Sequence, residues 1–174
     1  GMVLCINSQN NQTLWQSKLN GQIIRSLAFD GERLFALSRN GYLRCFNPQT
    51  GAIYWGQNFT VHFYCSPLVT KNRLYIASYE GNVTVLNKTN GTLIKHIPLH
   101  SPIYTALSAT DNLLIVATSD GMLRGFSHGL TQLWQIELDA PAAIPALISN
   151  HLITIGTFQK SLYLLERSGG SVAQ

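Results

Sequence analysis

Residues 65–94 read CSPLVTKNRLYIASYEGNVTVLNKTNGTLI, and residues 105–134 read TALSATDNLLIVATSDGMLRGFSHGLTQLW. Laid one over the other, these stretches put apolar runs on apolar runs and Gly81 on Gly121. Residues 25–55, RSLAFDGERLFALSRNGYLRCFNPQTGAIYW, carry the pattern a third time. Gly41, Gly81 and Gly121 lie 40 residues apart, as do Trp15 and Trp55, and Trp134 falls 79 beyond Trp55. Strand-like content repeating every 40 residues or so marks one supersecondary unit used again and again, and the unit of that length is a propeller blade.

Within one unit the apolar runs are Tyr64 to Thr70, Arg73 to Ser78, Asn82 to Leu86 and Thr92 to His96. They are short and rich in Val, Ile, Leu and Tyr, which reads as four strands. The breaks between them are Lys71-Asn72, Tyr79-Glu80-Gly81 and Lys88 to Gly91. Elsewhere the same breaks are Asp30-Gly31, Asn40-Gly41, Asp111-Asn112 and Asp120-Gly121. Asn-Gly and Asp-Gly favour tight primed turns, in which both central residues take positive φ. Each unit is therefore expected to be an up-and-down four-stranded antiparallel sheet, and no window shows a capped helical period. The fold class is all-β, a β-propeller of about four blades plus a leading half-blade. The half-blade is 2–20, and the blades are 21–60, 61–100, 101–139 and 140–174, the last with a degraded outer strand near Ser171 to Gln174.

The columns of this alignment separate packing from chemistry. Ser38, Ser78, Thr118 and Thr157 share one column; Leu37, Ala77, Ala117 and Gly156 share the next. Leu43, Val83, Leu123 and Leu162 form a third, which is expected to fill the layer between blades. A hydroxyl repeated in four units is a structural device rather than a nucleophile. An array of such blades leaves apolar faces at its two ends. Two arrangements would cover them. The half-blade closes a small ring within one chain, or two chains close one ring of about eight blades as a homodimer.

Composition narrows the function. Hydrophobic residues make up 45% and charged residues 11% of the 174, which excludes a solvated disordered chain. The net charge of +4 comes from scattered Lys and Arg with no basic run, so no nucleic-acid partner is expected. No apolar stretch is long enough for a membrane-spanning helix. Cys5, Cys45 and Cys65 are too few and odd in number for a disulfide framework, and Cys5 and Cys45 occupy one column as small apolar residues. GMVLC carries no secretory leader ahead of Cys5, which leaves a periplasmic or a cytoplasmic location open.

The repeats resemble the pyrroloquinoline-quinone-like (quinoprotein-type) β-propeller repeat. The residues that carry the likeness are DGERLFALSRNGYLRCFNPQTGAIYW and KNRLYIASYEGNVTVLNKTNGTLI, with Thr50-Gly51 and Trp55 at the family's turn and strand end and Asn90-Gly91 at the same turn. The usual Asp is Asn7, Asn47, Asn87 and Ser127 here, and Lys95 stands where Trp is expected. The resemblance implies the fold and leaves the role open, because the repeat serves many functions. Quinone-dependent dehydrogenases of the class hold their cofactor over a metal ion near a carboxylate base. A calcium-like ion asks for several oxygen ligands. The eight acidic residues here sit in separate turns, and His96 and His100 are kept off any helical spacing by Pro98. No catalytic residue, cofactor site or metal site is therefore expected.

What remains is recognition. Binding residues of a propeller concentrate on the turns between second and third strands and on the links between blades. The turns offer Arg39, Tyr79, Glu80, Asp120 and Phe158; the links offer Phe59, His62, Phe63, His100 and Pro102; Tyr64 and Tyr104 are expected to open the innermost strands. Aromatics mixed with Arg suit a protein-interaction surface, while Phe63, Tyr64 and Tyr104 equally suit a plug of the central channel. The expected function is a non-catalytic scaffold for protein–protein interaction. Two subclasses compete: one is similar to the periplasmic lipoprotein scaffold of the outer-membrane barrel assembly machine, the other to the propeller appended to adenylating enzymes of the aminoadipate-semialdehyde-dehydrogenase type. A fragment of a quinone-dependent dehydrogenase is the third alternative.

Overall fold

A computed structural model describes residues 1–167; the outer strand expected near Ser171 to Gln174 lies outside them. The described residues form seventeen strands and no helix. A leading pair, β1 (Met2–Ile6) and β2 (Thr13–Lys18), precedes three four-stranded sheets. Blade 1 is β3 (Ala28–Phe29), β4 (Leu34–Leu37), β5 (Tyr42–Phe46) and β6 (Ile53–Asn58). Blade 2 is β7 (Leu68–Val69), β8 (Arg73–Ala77), β9 (Asn82–Asn87) and β10 (Leu93–Pro98). Blade 3 is β11 (Ser108–Ala109), β12 (Leu113–Ala117), β13 (Met122–Ser127) and β14 (Gln132–Glu137). Blade 4 shows β15 (Leu147–Ile148), β16 (Leu152–Gly156) and β17 (Leu162–Glu166). Every pairing is antiparallel between sequence neighbours, which makes each sheet a meander.

Alternation along the strands gives the blades apolar faces, and at four junctions the facing sides of successive sheets are buried against each other. Val3 and Leu19 of the leading pair share a buried cluster with Ala36 and Phe46 of blade 1. Phe35, Leu43 and Cys45 of blade 1 meet Leu74, Ile76 and Leu86 of blade 2. Val83 and Val85 of blade 2 meet Leu114, Val116 and Phe126 of blade 3. Leu123 of blade 3 meets Ile153, Ile155 and Leu165 of blade 4. Each fully buried Leu, Ile, Val or Phe is worth about 1.5–3 kcal/mol, so the junctions between blades hold the array together. No buried cluster joins blade 4 back to the leading pair among the described residues.

The hydroxyl column is structural. Ser38, Ser78, Thr118 and Thr157 are all buried. Ser38 Oγ accepts the Tyr42 N–H at 3.0 Å and Ser78 Oγ the Asn82 N–H at 3.3 Å, pinning the turn between second and third strands. Those turns differ from the expected primed form. Gly41, Gly81 and Gly121 have positive φ, but Asn40, Glu80 and Asp120 do not. Each glycine N–H returns to the carbonyl three residues back at 3.1 Å, so a right-handed turn is followed by one left-handed residue. Lys160 fills the glycine position in blade 4 with φ 68°.

The innermost strands are also shorter than expected. Pairing is confined to Leu68–Val69 in blade 2, rather than running from Tyr64 to Thr70. Pro67 has no N–H to give to the ladder, and Phe63 makes only an isolated bridge to Ser78. The residues between serve the next blade instead: Cys65 Sγ lies 3.1 Å from the Thr105 carbonyl oxygen. Tyr64 and Tyr104 therefore belong to the links between blades and do not open strands.

Candidate functional site

The second-to-third-strand turns and the interblade links are stitched into one face by a repeated set of backbone bonds. Arg39 N–H donates to Gln22 O at 2.8 Å, Tyr79 N–H to His62 O at 2.7 Å, Ser119 N–H to Pro102 O at 2.8 Å and Phe158 N–H to Pro141 O at 3.1 Å. Each turn is thus tied to the link that enters its own blade. In return, Phe63 N–H donates to Arg39 O at 2.9 Å, tying the following link to the turn before it. The side chains on this face stand on a fixed backbone frame.

Four side chains converge on it. The Arg39 guanidinium lies 4.9 Å from the Tyr64 ring centroid, and its Nη2 donates to Tyr64 Oη at 2.6 Å. Tyr64 packs on Tyr79 at 5.5 Å and on Tyr104 at 6.5 Å, and Tyr79 meets Tyr104 at 5.6 Å, all at steep interplanar angles. The two pairs made by Tyr104 are edge-to-face and the Tyr64–Tyr79 pair is tilted; aromatic pairs of this kind each add about 0.5–1.5 kcal/mol to simple burial. Tyr79 and Tyr104 remain open to solvent, at 40% and 51% exposure. A hydrogen bond with Tyr79 raises the Tyr104 phenol above its ordinary pKa. Arg25 fixes the link from below, its Nε donating to Tyr64 O at 2.6 Å.

His62 and Glu80 flank the cluster. Glu80 Oε1 accepts the His62 N–H at 3.1 Å and lies 3.5 Å from His62 Nδ1. Partial burial works to raise the Glu80 pKa, but the N–H groups of His62 and of Glu80 itself outweigh it and hold the carboxyl below its ordinary value. Next to Arg39, a cleft of about 300 Å³ is lined by Gly21, Gln22, Arg39, Asn40 and His62.

The other sequence candidates lie elsewhere. Phe63 is buried at 2% exposure, and the partly buried Phe59 packs edge-on against it at 5.7 Å; both pack into the core between blades 1 and 2, away from the tyrosine cluster. Asp120 accepts from Thr118 Oγ1 at 2.5 Å and from the Met122 N–H at 3.3 Å. Its pKa is pushed up by burial and pulled further down by these bonds and by Arg124, which is the signature of a turn carboxylate. His100 is exposed with φ 58°, and Phe158 is 71% exposed on the last blade; among the described residues neither is bonded or stacked to the tyrosines. Arg25 and Gln22 were not legible as site residues, since nothing in their repeat columns marks them. Among the described residues no group of His, Cys, Asp and Glu comes together as a metal site would require.

Successive four-stranded meanders packed face to face, with aromatic and charged side chains on their turns and links, define a β-propeller array of quinoprotein-type repeats. The chain belongs to the family of the outer membrane protein assembly factor BamB, whose profile matches residues 1–94 and 70–174. It is 23% identical over 175 residues to the outer membrane protein assembly factor BamB of Francisella salina, covering 99% of this chain and 33% of that protein. The protein of the same name from Francisella tularensis subsp. tularensis is 25% identical over 103 residues, 58% of this chain and 22% of that one. The chain thus spans about a third or less of the curated relatives it matches. Among solved structures, BamB from Moraxella catarrhalis superposes with a TM-score of 0.83 at 14% identity, over 100% of this chain and 57% of that one. The computationally designed Ika4 protein gives 0.77 at 14% identity, over 86% of this chain and 93% of that one.

Proposed function

We propose that this chain is a non-catalytic interaction domain that serves the assembly of outer-membrane proteins by docking a protein partner on its turn-and-link face. One observation carries the reading: Tyr64, Tyr79 and Tyr104 pack on one another with Arg39 on Tyr64, all on a hydrogen-bonded backbone frame and with the two outer tyrosines open to solvent. Tyr and Arg are the side chains that dominate binding energy at protein interfaces, and pre-packing them lowers the entropy lost on docking. Family membership supplies the process; the patch supplies the surface. The cleft beside Arg39 adds a recess into which a partner side chain fits.

The test is a photo-cross-linking amino acid placed at Tyr79 in cells that make the protein, with a second placed at Asn112 on the opposite turns as a control. The expected result is a protein adduct at position 79, identified by mass spectrometry as a component of outer-membrane protein assembly, and none at position 112. Tyr79→Ala and Arg39→Ala are each expected to weaken binding of that partner about 30-fold, the size of an interface anchor of about 2 kcal/mol. Equal labelling at both positions would sink the reading.

A further inference from the structure

The sequence holds three Asn-Gly pairs, Asn20-Gly21, Asn40-Gly41 and Asn90-Gly91. Such a pair is self-reactive. Glycine carries no side chain to shield its nitrogen, so that nitrogen can reach the carboxamide carbon of the asparagine before it. The fold treats the three pairs differently.

Two of them are locked. Asn40 Oδ1 accepts from Ser38 Oγ at 2.9 Å, and the Gly41 N–H donates to Ser38 O at 3.1 Å. Asn90 Oδ1 accepts the Thr92 N–H at 3.0 Å and the Thr92 hydroxyl at 2.8 Å, while the Gly91 N–H donates to Asn87 O at 2.8 Å. In both pairs the carboxamide and the nitrogen that would attack it are each held by another partner. Asn20-Gly21 forms a bend in the link into blade 1, with Asn20 exposed. Among the described residues, neither the Asn20 carboxamide nor the Gly21 N–H makes a hydrogen bond.

We propose that Asn20-Gly21 is a self-modification site, which converts to isoaspartate and thereby alters the turn-and-link face. The Gly21 nitrogen attacks Asn20 Cγ and loses its proton. The Cγ–Nδ2 bond breaks, the amide takes up a proton and leaves as ammonia, and a five-membered succinimide closes. Water, the only co-reactant, then opens the ring. Opening at the former main-chain carbonyl of Asn20 leaves isoaspartate, with an extra carbon in the main chain and a carboxylate where a neutral amide stood.

Its position links this chemistry to Arg39. Gly21 seats the Asn40 side chain, since a Cβ on Gly21 would lie 1.6 Å from Asn40 Oδ1. Gly21 and Gln22 line the cleft beside Arg39, and Gln22 O holds the Arg39 N–H at 2.8 Å. An extra main-chain carbon directly ahead of them displaces that seat and loosens the Arg39 end of the frame. The conversion itself is independent of the docking reading; only its effect on a partner rests on that reading.

The test holds the folded chain in warm, mildly alkaline buffer made with heavy-oxygen water. Timed samples are peptide-mapped by mass spectrometry, and an isoaspartyl methyltransferase marks the product. Asn20 is expected to convert about thirtyfold faster than Asn40 or Asn90, because hydrogen bonds in the locked pairs must break first. In urea the three pairs are expected to react at similar rates. Conversion of Asn20 no faster than the others in the folded chain, or the same order in urea, overturns the site. Hydrogen exchange at the Arg39 amide is expected to quicken about tenfold in the converted chain. The exposed-site variant Asn20→Gln, aged in the same way, should keep its original exchange. Unchanged Arg39 exchange in the converted chain overturns the effect on the face, whereas the docking reading stands or falls by the cross-link at Tyr79.

Discussion

The indole of Trp55 lies flat against Gly91 of the following blade, so close that a Cβ on Gly91 would sit 2.5 Å from Trp55 Cε3. The indole Nε1 donates to Lys88 O at 3.0 Å in the same turn. Trp15 repeats this one blade earlier: its ring would lie 2.6 Å from a Cβ on Gly51, and its Nε1 donates to Pro48 O at 2.8 Å. Both glycines have positive φ, 72° and 73°. These two outer strands thus each clamp the outer turn of the next blade by one stack and one hydrogen bond.

Gly91→Ala should test that clamp. The new methyl meets the indole and also takes a left-handed conformation costing an L-residue about 1–2 kcal/mol. With the packing strain added, a loss of about 2–4 kcal/mol is expected in urea unfolding, and the same from Gly51→Ala. Gly31→Ala makes a control. Gly31 shares the positive φ but has no atom within 4 Å of its would-be Cβ, so it should lose only the conformational part.

Lys95 replaces the tryptophan in blade 2 and keeps half of the clamp. Its Nζ donates to Leu130 O at 2.7 Å, in the turn where blade 3 has Leu130 in place of the glycine. Leu130 retains the left-handed conformation, φ 61°, and its side chain is buried. Lys-with-Leu and Trp-with-Gly are therefore alternative solutions to one contact. Lys95→Trp alone should destabilise by about 1–3 kcal/mol through overpacking against Leu130. Adding Leu130→Gly should recover most of that loss, and a double-mutant cycle by thermal or urea unfolding measures the coupling.

The repeat period was readable because the glycine and tryptophan columns recur at nearly fixed spacing, and the sheets and their meander order follow from it. Turn geometry was not. Asn40-Gly41 and Asp120-Gly121 look like primed turns, but a buried hydroxyl at Ser38 or Thr118 holds the preceding residues right-handed, an effect that a dipeptide does not reveal. The site was partly readable: Arg39, Tyr64, Tyr79 and Tyr104 were all singled out. The sequence could not show that Phe63 turns inward while its neighbour Tyr64 turns outward, because both sit in a link with no strand alternation. Arg25 was invisible for a different reason, since it acts through one bond to a backbone carbonyl 39 residues away.

The cysteines should differ in reactivity. Burial pushes the Cys45 and Cys65 thiols up to about 12, with nearby cations opposing it only in part. At pH 8 such groups hold almost no thiolate, and neither is open to reagent. Cys5 is half-buried on the leading pair. Iodoacetamide on the folded protein should label Cys5 alone, with Cys45 and Cys65 reacting only at the rate of unfolding. Peptide mapping after timed exposure reads this directly, and fast labelling of Cys65 would contradict the packing between blades 2 and 3.

Asp30 and Lys88 join the inner turn of blade 1 to the outer turn of blade 2 at 2.6 Å, with only 6% and 15% of their side chains exposed. Burial alone would raise the Asp30 pKa. The Lys88 ammonium and the N–H groups of Glu32 and Arg33 outweigh it, and the carboxyl ends below its ordinary 3.8. A carboxyl whose folded pKa lies under its unfolded one contributes stability above the unfolded value, and loses it as the pH falls through the folded one. The contribution should be whole at pH 7 and shrink below about 4. Lys88→Met leaves a buried carboxylate without its cation, which costs about 3 kcal/mol at neutral pH. That deficit should narrow on acidification, when Asp30 can take up a proton. Asp30→Asn combined with Lys88→Met removes both charges and should be less damaging than Lys88→Met alone. Urea unfolding of the three proteins at pH 7 and pH 3 separates the outcomes, and a deficit independent of pH would show that Lys88 acts through packing rather than through its charge.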